Sequence, residues 1–288
     1  MAPVPFLMPA LVTPFDEAGE LDLDAHRRNL KKLWKAGIRG FLIGGSTGEG
    51  PYLEPGERAA LVGAAREQLG KNAYLACGVA AETIRQAKAM IAEATAGANS
   101  VLVITPTTLT RNRPHFVESY YQELAEASPL PVLLYSVPSV TAFELPEEIV
   151  SSLAQHPNIV GMKDSGGHPV RLQRILGSVP ADFDLFTGST QAVTLAIAAG
   201  VHGAITASTN YMPKKLLETV KAARDDPIKA RPLQAEISRI AAVVERFGIP
   251  GVKFAAARAG LSPGFPRRPL VALPDDQGKV IREALRNK

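Results

Sequence analysis

Eight times along this chain a short apolar run gives way to a polar or glycine-rich turn, and the turn to a stretch of helical periodicity. The apolar runs cover residues 6–12, 40–43, 73–77, 100–104, 131–135, 159–163, 184–186 and 203–206, and they are continuous instead of alternating. A strand that is apolar on both faces has to be covered on both faces, which is the situation of a parallel sheet wrapped by helices. Helical stretches follow at 24–36, 55–69, 80–94, 113–128, 146–154, 170–178 and 191–199. The repeat of roughly 25–35 residues is what one strand–helix unit needs. Eight such units point to a closed barrel in preference to an open sheet. No Gly-x-Gly-x-x-Gly fingerprint follows the first strand, which further weakens the open-sheet alternative.

Beyond residue 206 the pattern changes. Residues 214–224, 228–247, 252–259 and 276–286 read as helices with no strand between the last three. Asp225-Asp226-Pro227, Gly248-Ile249-Pro250 and Pro263-Gly264-Phe265-Pro266 mark their boundaries. The expectation is an α/β fold, a (β/α)8 TIM barrel over residues 1–224, with a C-terminal three-helix extension over 225–288 packed on it. A chain of 288 residues with 46% hydrophobic content can build a core of that size.

Composition excludes several function classes. The net charge of +4 is spread along the chain, and the short basic clusters Arg27–Arg28, Lys31–Lys32, Lys214–Lys215 and Arg267–Arg268 read as solvated helix faces and turns. Without interleaved aromatic residues they do not suggest nucleic-acid binding. The single cysteine, Cys77, lies in an apolar run and reads as a small core residue. No apolar run reaches the ~18 residues of a membrane span, and Met1-Ala2-Pro3-Val4-Pro5 lacks the basic start of a secretory signal, so a cytoplasmic protein is expected. The five histidines show no metal-ligand spacing, so neither a metal nor a cofactor is expected.

In such a barrel the functional groups gather at the C-terminal ends of the strands. The sixth run, Ile159-Val160-Gly161-Met162-Lys163, ends in a lysine. If Val160 and Met162 face the helices, alternation turns Lys163 into the barrel with Gly161 beneath it. Lost hydration there favours the neutral amine, a nucleophile toward carbonyls. A strand-end lysine that snorkels to water is the competing reading, and alternation alone weighs the two about equally. The fifth run ends in Tyr135. Neighbouring parallel strands lie about 4.8 Å apart, so its phenol can reach Lys163 and move protons. The loop Gly44-Gly45-Ser46-Thr47-Gly48-Glu49 after the second run can converge N–H groups and hydroxyls on an anion such as a carboxylate. Gly188 and Ser189 after the seventh run, and Ile205 at the eighth, lie on the same rim and are expected to line the pocket.

These residues carry a resemblance. Ala10-Leu11-Val12-Thr13-Pro14-Phe15, Gly45-Ser46-Thr47-Gly48-Glu49, Tyr135-Ser136-Val137-Pro138 and Gly161-Met162-Lys163-Asp164 resemble, in order and spacing, the dihydrodipicolinate synthase/N-acetylneuraminate lyase family. The resemblance runs over nearly the whole chain. It implies a homotetramer of (β/α)8 barrels and a cofactor-free, class I aldolase chemistry on pyruvate or a similar 2-oxo acid. In that analogy Lys163 forms the imine, Tyr135 relays protons, and Ser46 and Thr47 hold the pyruvate carboxylate.

Two positions depart from dihydrodipicolinate synthases. Those enzymes carry an arginine after the tyrosine, where this chain has Val140, and a tyrosine after the Thr-Pro of strand four, where it has Thr107 and Thr108. A valine cannot replace a bidentate donor to a carboxylate. The stretches 156–167 and Arg246-Phe247-Gly248-Ile249-Pro250-Gly251 are instead similar to 4-hydroxy-2-oxoglutarate aldolases. The leading expectation is a lyase that cleaves a 4-hydroxy-2-oxo acid to pyruvate and an aldehyde such as glyoxylate. The alternatives are a 2-keto-3-deoxy sugar acid aldolase or dehydratase, a dihydrodipicolinate synthase, or a non-catalytic barrel that senses a 2-oxo acid.

Overall fold

Strands and helices alternate through the computed structural model of the chain, which describes residues 3–110 and 113–286. Met1, Ala2, Arg111, Asn112, Asn287 and Lys288, assigned above to the barrel and its extension, lie outside the described residues. The order is β1 (Leu7–Pro9), α1 (Leu23–Lys35), β2 (Gly40–Ile43), α2 (Glu57–Leu69), β3 (Tyr74–Val79), α3 (Ile84–Ala94), β4 (Ser100–Ile104) and α4 (Pro114–Ala127). It continues with β5 (Val132–Ser136), the single turn α5 (Pro138–Thr141), α6 (Glu147–Leu153), β6 (Ile159–Asp164), α7 (Pro169–Leu176), β7 (Asp184–Thr187), α8 (Val193–Ala198) and β8 (Gly203–Thr206). Four helices end the described chain: α9 (Pro213–Asp225), α10 (Arg231–Glu245), α11 (Gly248–Arg258) and α12 (Asp275–Arg286).

All eight strands are parallel: from β2 to β8 each pairs with the next in sequence, and β1 pairs with β8. The remaining gap closes through a parallel bridge between Ala10 and Leu42, with the Leu11 N–H donating to the Leu42 carbonyl at 2.9 Å. The fold is therefore a (β/α)8 barrel with C-terminal helices. Strand β1 is shorter than the apolar run 6–12 that contains it. The side chain of Asn210 takes over part of the pairing, donating to the Ala10 carbonyl at 2.8 Å and accepting from the Val12 N–H at 3.2 Å.

Apolar side chains divide between two cores. One fills the space between strands and helices and includes Ile43, Val103, Leu134 and Met162. The other plugs the barrel interior with Met8, Leu42, Leu102, Leu133, Phe186 and Ile205. Val160 belongs with the interior group and does not face the helices as strict alternation predicts. The cause is an irregularity in β6: Val132 pairs with Ile159 but the next residue, Leu133, pairs with Gly161. The extra residue flips the side-chain phase below Gly161 and leaves Lys163 in its expected phase. Cys77 is fully buried, and burial pushes its thiol up to about 12, which fits a core residue.

The extension is fastened to the barrel by buried charge. Lys253 of α11 reaches Glu49 Oε1 at 2.6 Å and donates to the Phe265 carbonyl at 2.6 Å. Arg267 is not the solvated turn residue expected from its Arg267–Arg268 cluster. Its guanidinium bridges Glu57 through paired bonds of 2.5 and 2.6 Å and donates to the carbonyls of Gly19 and Tyr52. Among the described residues no helix is long and apolar enough to cross a membrane.

Candidate active site

Tyr135 and Lys163 are direct register partners near the C-terminal ends of β5 and β6. Both are buried, and Lys163 Nζ donates to the Tyr135 phenol oxygen at 3.3 Å. Burial pushes the Tyr135 phenol up. The positive charge of Lys163 and hydrogen bonds with Ser165, Lys163 and Ser46 more than offset it and hold the phenol below its usual range. Asp164, the next residue on β6, does not neutralise the lysine. It points to the opposite face, where Arg171 donates to its Oδ2 at 3.0 Å and the Gly166 N–H to its Oδ1 at 2.9 Å. Its main-chain carbonyl receives the Gly188 N–H at 2.6 Å, which ties the ends of β6 and β7 together.

Gly188 is a matter of space. A Cβ there would stand 2.9 Å from Lys163 Cε and would overlap the Ser165 hydroxyl. Glycine here leaves room for the Lys163 stem and the Ser165 hydroxyl side by side. The loop after β2 is compact for a similar reason: a Cβ on Gly50 would strike the Gly44 carbonyl. Within that loop the Glu49 N–H donates to Ser46 and the Gly50 N–H to Gly45. The Ser46 and Thr47 N–H groups have no acceptor within the described residues, so donors are left for a ligand at the cavity edge.

These groups meet in a cavity of about 370 Å³ at the barrel mouth, within the ~300–1,000 Å³ of small-molecule sites. Of the residues singled out from the sequence, Lys163, Tyr135, Ser46, Thr47, Gly188 and Ser189 line it. Gly45 and Ile205 do not. Gly45 is buried, and a Cβ on it would run into the Leu42 side chain at 2.8 Å, while Ile205 packs in the interior core, so that Ala207, two residues on, takes the rim position. Thr107 and Thr108 also stay outside the wall, where their N–H groups bind the Glu82 carboxylate at 3.1 and 2.9 Å.

The wall holds groups the sequence reading missed. Ser165 was readable, since it lies two residues beyond Lys163 and shares its face. Glu245 was not, because it ends α10 in the extension, far from any strand. Burial pushes its carboxyl up, with hydrogen bonds from Thr190 and Tyr211 and the charge of Lys163 acting against that. Val140 lines the cavity from α5, largely exposed. Among the described residues no group of three or more His, Cys, Asp or Glu is placed to hold a metal ion.

A buried amine against a phenol at the mouth of a parallel barrel is the constitution of a class I lyase. The family model of the dihydrodipicolinate synthetase family matches residues 5–288, and the chain belongs to that family of pyruvate-dependent lyases. A relative from Thiobacillus denitrificans, a 4-hydroxy-tetrahydrodipicolinate synthase, is 34% identical, with 96% of this chain and 95% of the relative covered. The crystal structure of a dihydrodipicolinate synthase from Bacillus anthracis superposes with a TM-score of 0.94 at 25% identity, covering 100% of this chain and 99% of that one. YagE, a prophage protein of the dihydrodipicolinic acid synthase family from E. coli K12 solved in complex with pyruvate, gives 0.90 at 26% identity, with 97% and 96% covered.

Proposed function

We propose that the protein cleaves a 4-hydroxy-2-oxo acid reversibly to pyruvate and an aldehyde through an imine on Lys163. The observation that carries this reading is the 3.3 Å contact between the Lys163 amine and the Tyr135 phenol inside the cavity. The neutral amine attacks the C2 carbonyl, and loss of water, with one proton given up by the Tyr135 phenol, leaves an iminium that serves as the electron sink. Tyr135, as phenolate, takes the proton of the C4 hydroxyl while the C3–C4 bond breaks, which releases the aldehyde and leaves an enamine. Protonation at C3 and hydrolysis of the imine release pyruvate and restore the lysine. The Ser46 and Thr47 hydroxyls and their unpaired N–H groups suit the substrate carboxylate. The pyruvate complex of YagE agrees with pyruvate as the common half. On this reading residues 225–288 act as part of the site wall, and the homotetramer implied by the resemblance is carried over with it.

A second reading has its own support. The Thiobacillus relative is named a 4-hydroxy-tetrahydrodipicolinate synthase, and that reaction would use the same lysine. It would also need a cation for the carboxylate of its second substrate, and position 140 presents a valine. Borohydride reduction in the presence of pyruvate is expected to leave a pyruvyl-derived mass on Lys163 and none on a Lys163→Ala protein. The absence of an adduct on Lys163 would remove the imine mechanism under both readings. Given an adduct, pyruvate release from hydroxy-oxo acids separates the lyase from the synthase.

A further inference from the structure

Glu245 takes no part in the imine steps, yet it forms wall in the same cavity. Its Oε1 accepts hydrogen bonds from Thr190 Oγ1 at 3.1 Å and from the Tyr211 hydroxyl at 3.3 Å. Thr190 is itself held by the Ser208 hydroxyl at 2.7 Å. Two hydroxyls on one oxygen fix the carboxylate beside the loops that follow β7 and β8, and its second oxygen has no hydrogen-bond partner among the described residues. In the strand order that is the side of Lys163 away from Tyr135. Among the described residues of the wall, Lys163 is the only cation and Glu245 the only anion. The other polar groups of the wall on that side are the hydroxyls of Ser189 and Thr190 and the amide of Gln191, while Ser139 and Val140 of α5 line the wall on the Tyr135 side.

A substrate tail entering this space meets two very different prospects. A distal carboxylate would find no cation to pair with and would be set beside Glu245, a like-charge contact in a partly desolvated cavity. A chain of hydroxyls would find an anchored carboxylate acceptor and several hydroxyl partners. We infer that Glu245 is a specificity-determining residue, and that the aldehyde half of the substrate is an uncharged, polyhydroxylated chain. The substrate class is then a 2-oxo-3-deoxy sugar acid, and dicarboxylic acids that would yield glyoxylate are disfavoured. This rests on the lyase reading above.

The test measures pyruvate release by the full-length protein from 2-keto-3-deoxygluconate and from 4-hydroxy-2-oxoglutarate. Wild type is expected to show kcat/KM at least ~10-fold higher for the hydroxylated acid, because a site built around substrate hydroxyls rejects tails that leave its groups unpaired. Glu245→Gln removes the charge at nearly constant shape. It is expected to shrink that ratio by ~10-fold or more, with the KM for the dicarboxylate falling. A ratio is insensitive to any general loss of active protein. Wild-type preference for the dicarboxylate overturns the inference even if the variant fails to fold, and so does a ratio that the variant leaves unmoved. Borohydride trapping on wild type separates the two levels. No adduct on Lys163 defeats the lyase reading and this inference with it, whereas an adduct with the dicarboxylate preferred defeats the inference alone.

Discussion

At the scale of single residues the site depends on proton placement and on a missing methyl group. Tyr135 lies within hydrogen-bond reach of Lys163, and its phenol is shared with Ser46 and Ser165. Replacing it with phenylalanine removes the acid–base group but keeps the ring that packs in the interior. Tyr135→Phe is therefore expected to lower kcat for pyruvate release by about 10²–10⁴, while Lys163 can still be trapped with pyruvate, if slowly. Gly188→Ala tests geometry without touching a reactive group. The new Cβ would crowd Lys163 Cε at 2.9 Å and displace Ser165. A displacement on the order of 1 Å at a reacting atom can cost about 10² in rate, so kcat should fall by about that factor with the melting temperature little changed. A large fall in melting temperature with kcat intact would refute the positioning role.

At the scale of elements the most consequential link joins α11 to the loop after β2. Lys253 and Glu49 are almost wholly buried and meet at 2.6 Å. The Arg267 N–H donates to the second oxygen of the same carboxylate at 2.7 Å. Burial pulls the Lys253 amine down and the neighbouring Glu49 pushes it back up, with a net lowering. Removing one member of such a pair strands the other without compensation, at a cost of about 3–5 kcal/mol. Lys253→Met is expected to lower the unfolding free energy by that amount in denaturant titration. Glu49 lies two residues past Thr47, so the variant should also raise KM for pyruvate-containing substrates. A stable Lys253→Met protein with unchanged KM would show that the clamp does not position the loop. The β6 irregularity belongs to the same scale. It reverses the facing of Val160 without disturbing Lys163, because the register is regained at Gly161.

For the molecule as a whole, acid sensitivity follows from one buried histidine. His26 donates from Nε2 to the Leu61 carbonyl at 3.2 Å, its Nδ1 has no partner, and burial pulls its pKa down to about 4. The unfolded chain takes up a proton at this residue below about pH 6.5, whereas the folded protein refuses it until about pH 4. The stabilisation is thus complete above pH 6.5 and is lost as pH falls toward 4. At about 1.4 kcal/mol per pH unit it amounts to about 3 kcal/mol. Unfolding free energies at pH 7 and pH 4.5 should differ by about that much more in wild type than in His26→Gln. Equal differences in the two proteins would refute the assignment.

The barrel, Lys163, Tyr135 and the Ser46–Thr47 loop were legible in the sequence because each is a local signal. Continuous apolar runs define buried parallel strands, and a period of two places each strand's last polar residue on a known face. Ser165 could have been found by the same rule. Gly45 and Ile205 were misplaced because nearness to a strand end does not say whether a side chain points up into the cavity or down into the core. Three things were decided only by tertiary structure: the arrival of Glu245 beside β7 and β8, the pairing of Arg267 with Glu57, and the use of Asn210 to complete β1. Each is a contact between segments far apart in the chain, set by how the helices after β8 pack on the barrel, and no periodicity within either segment encodes it.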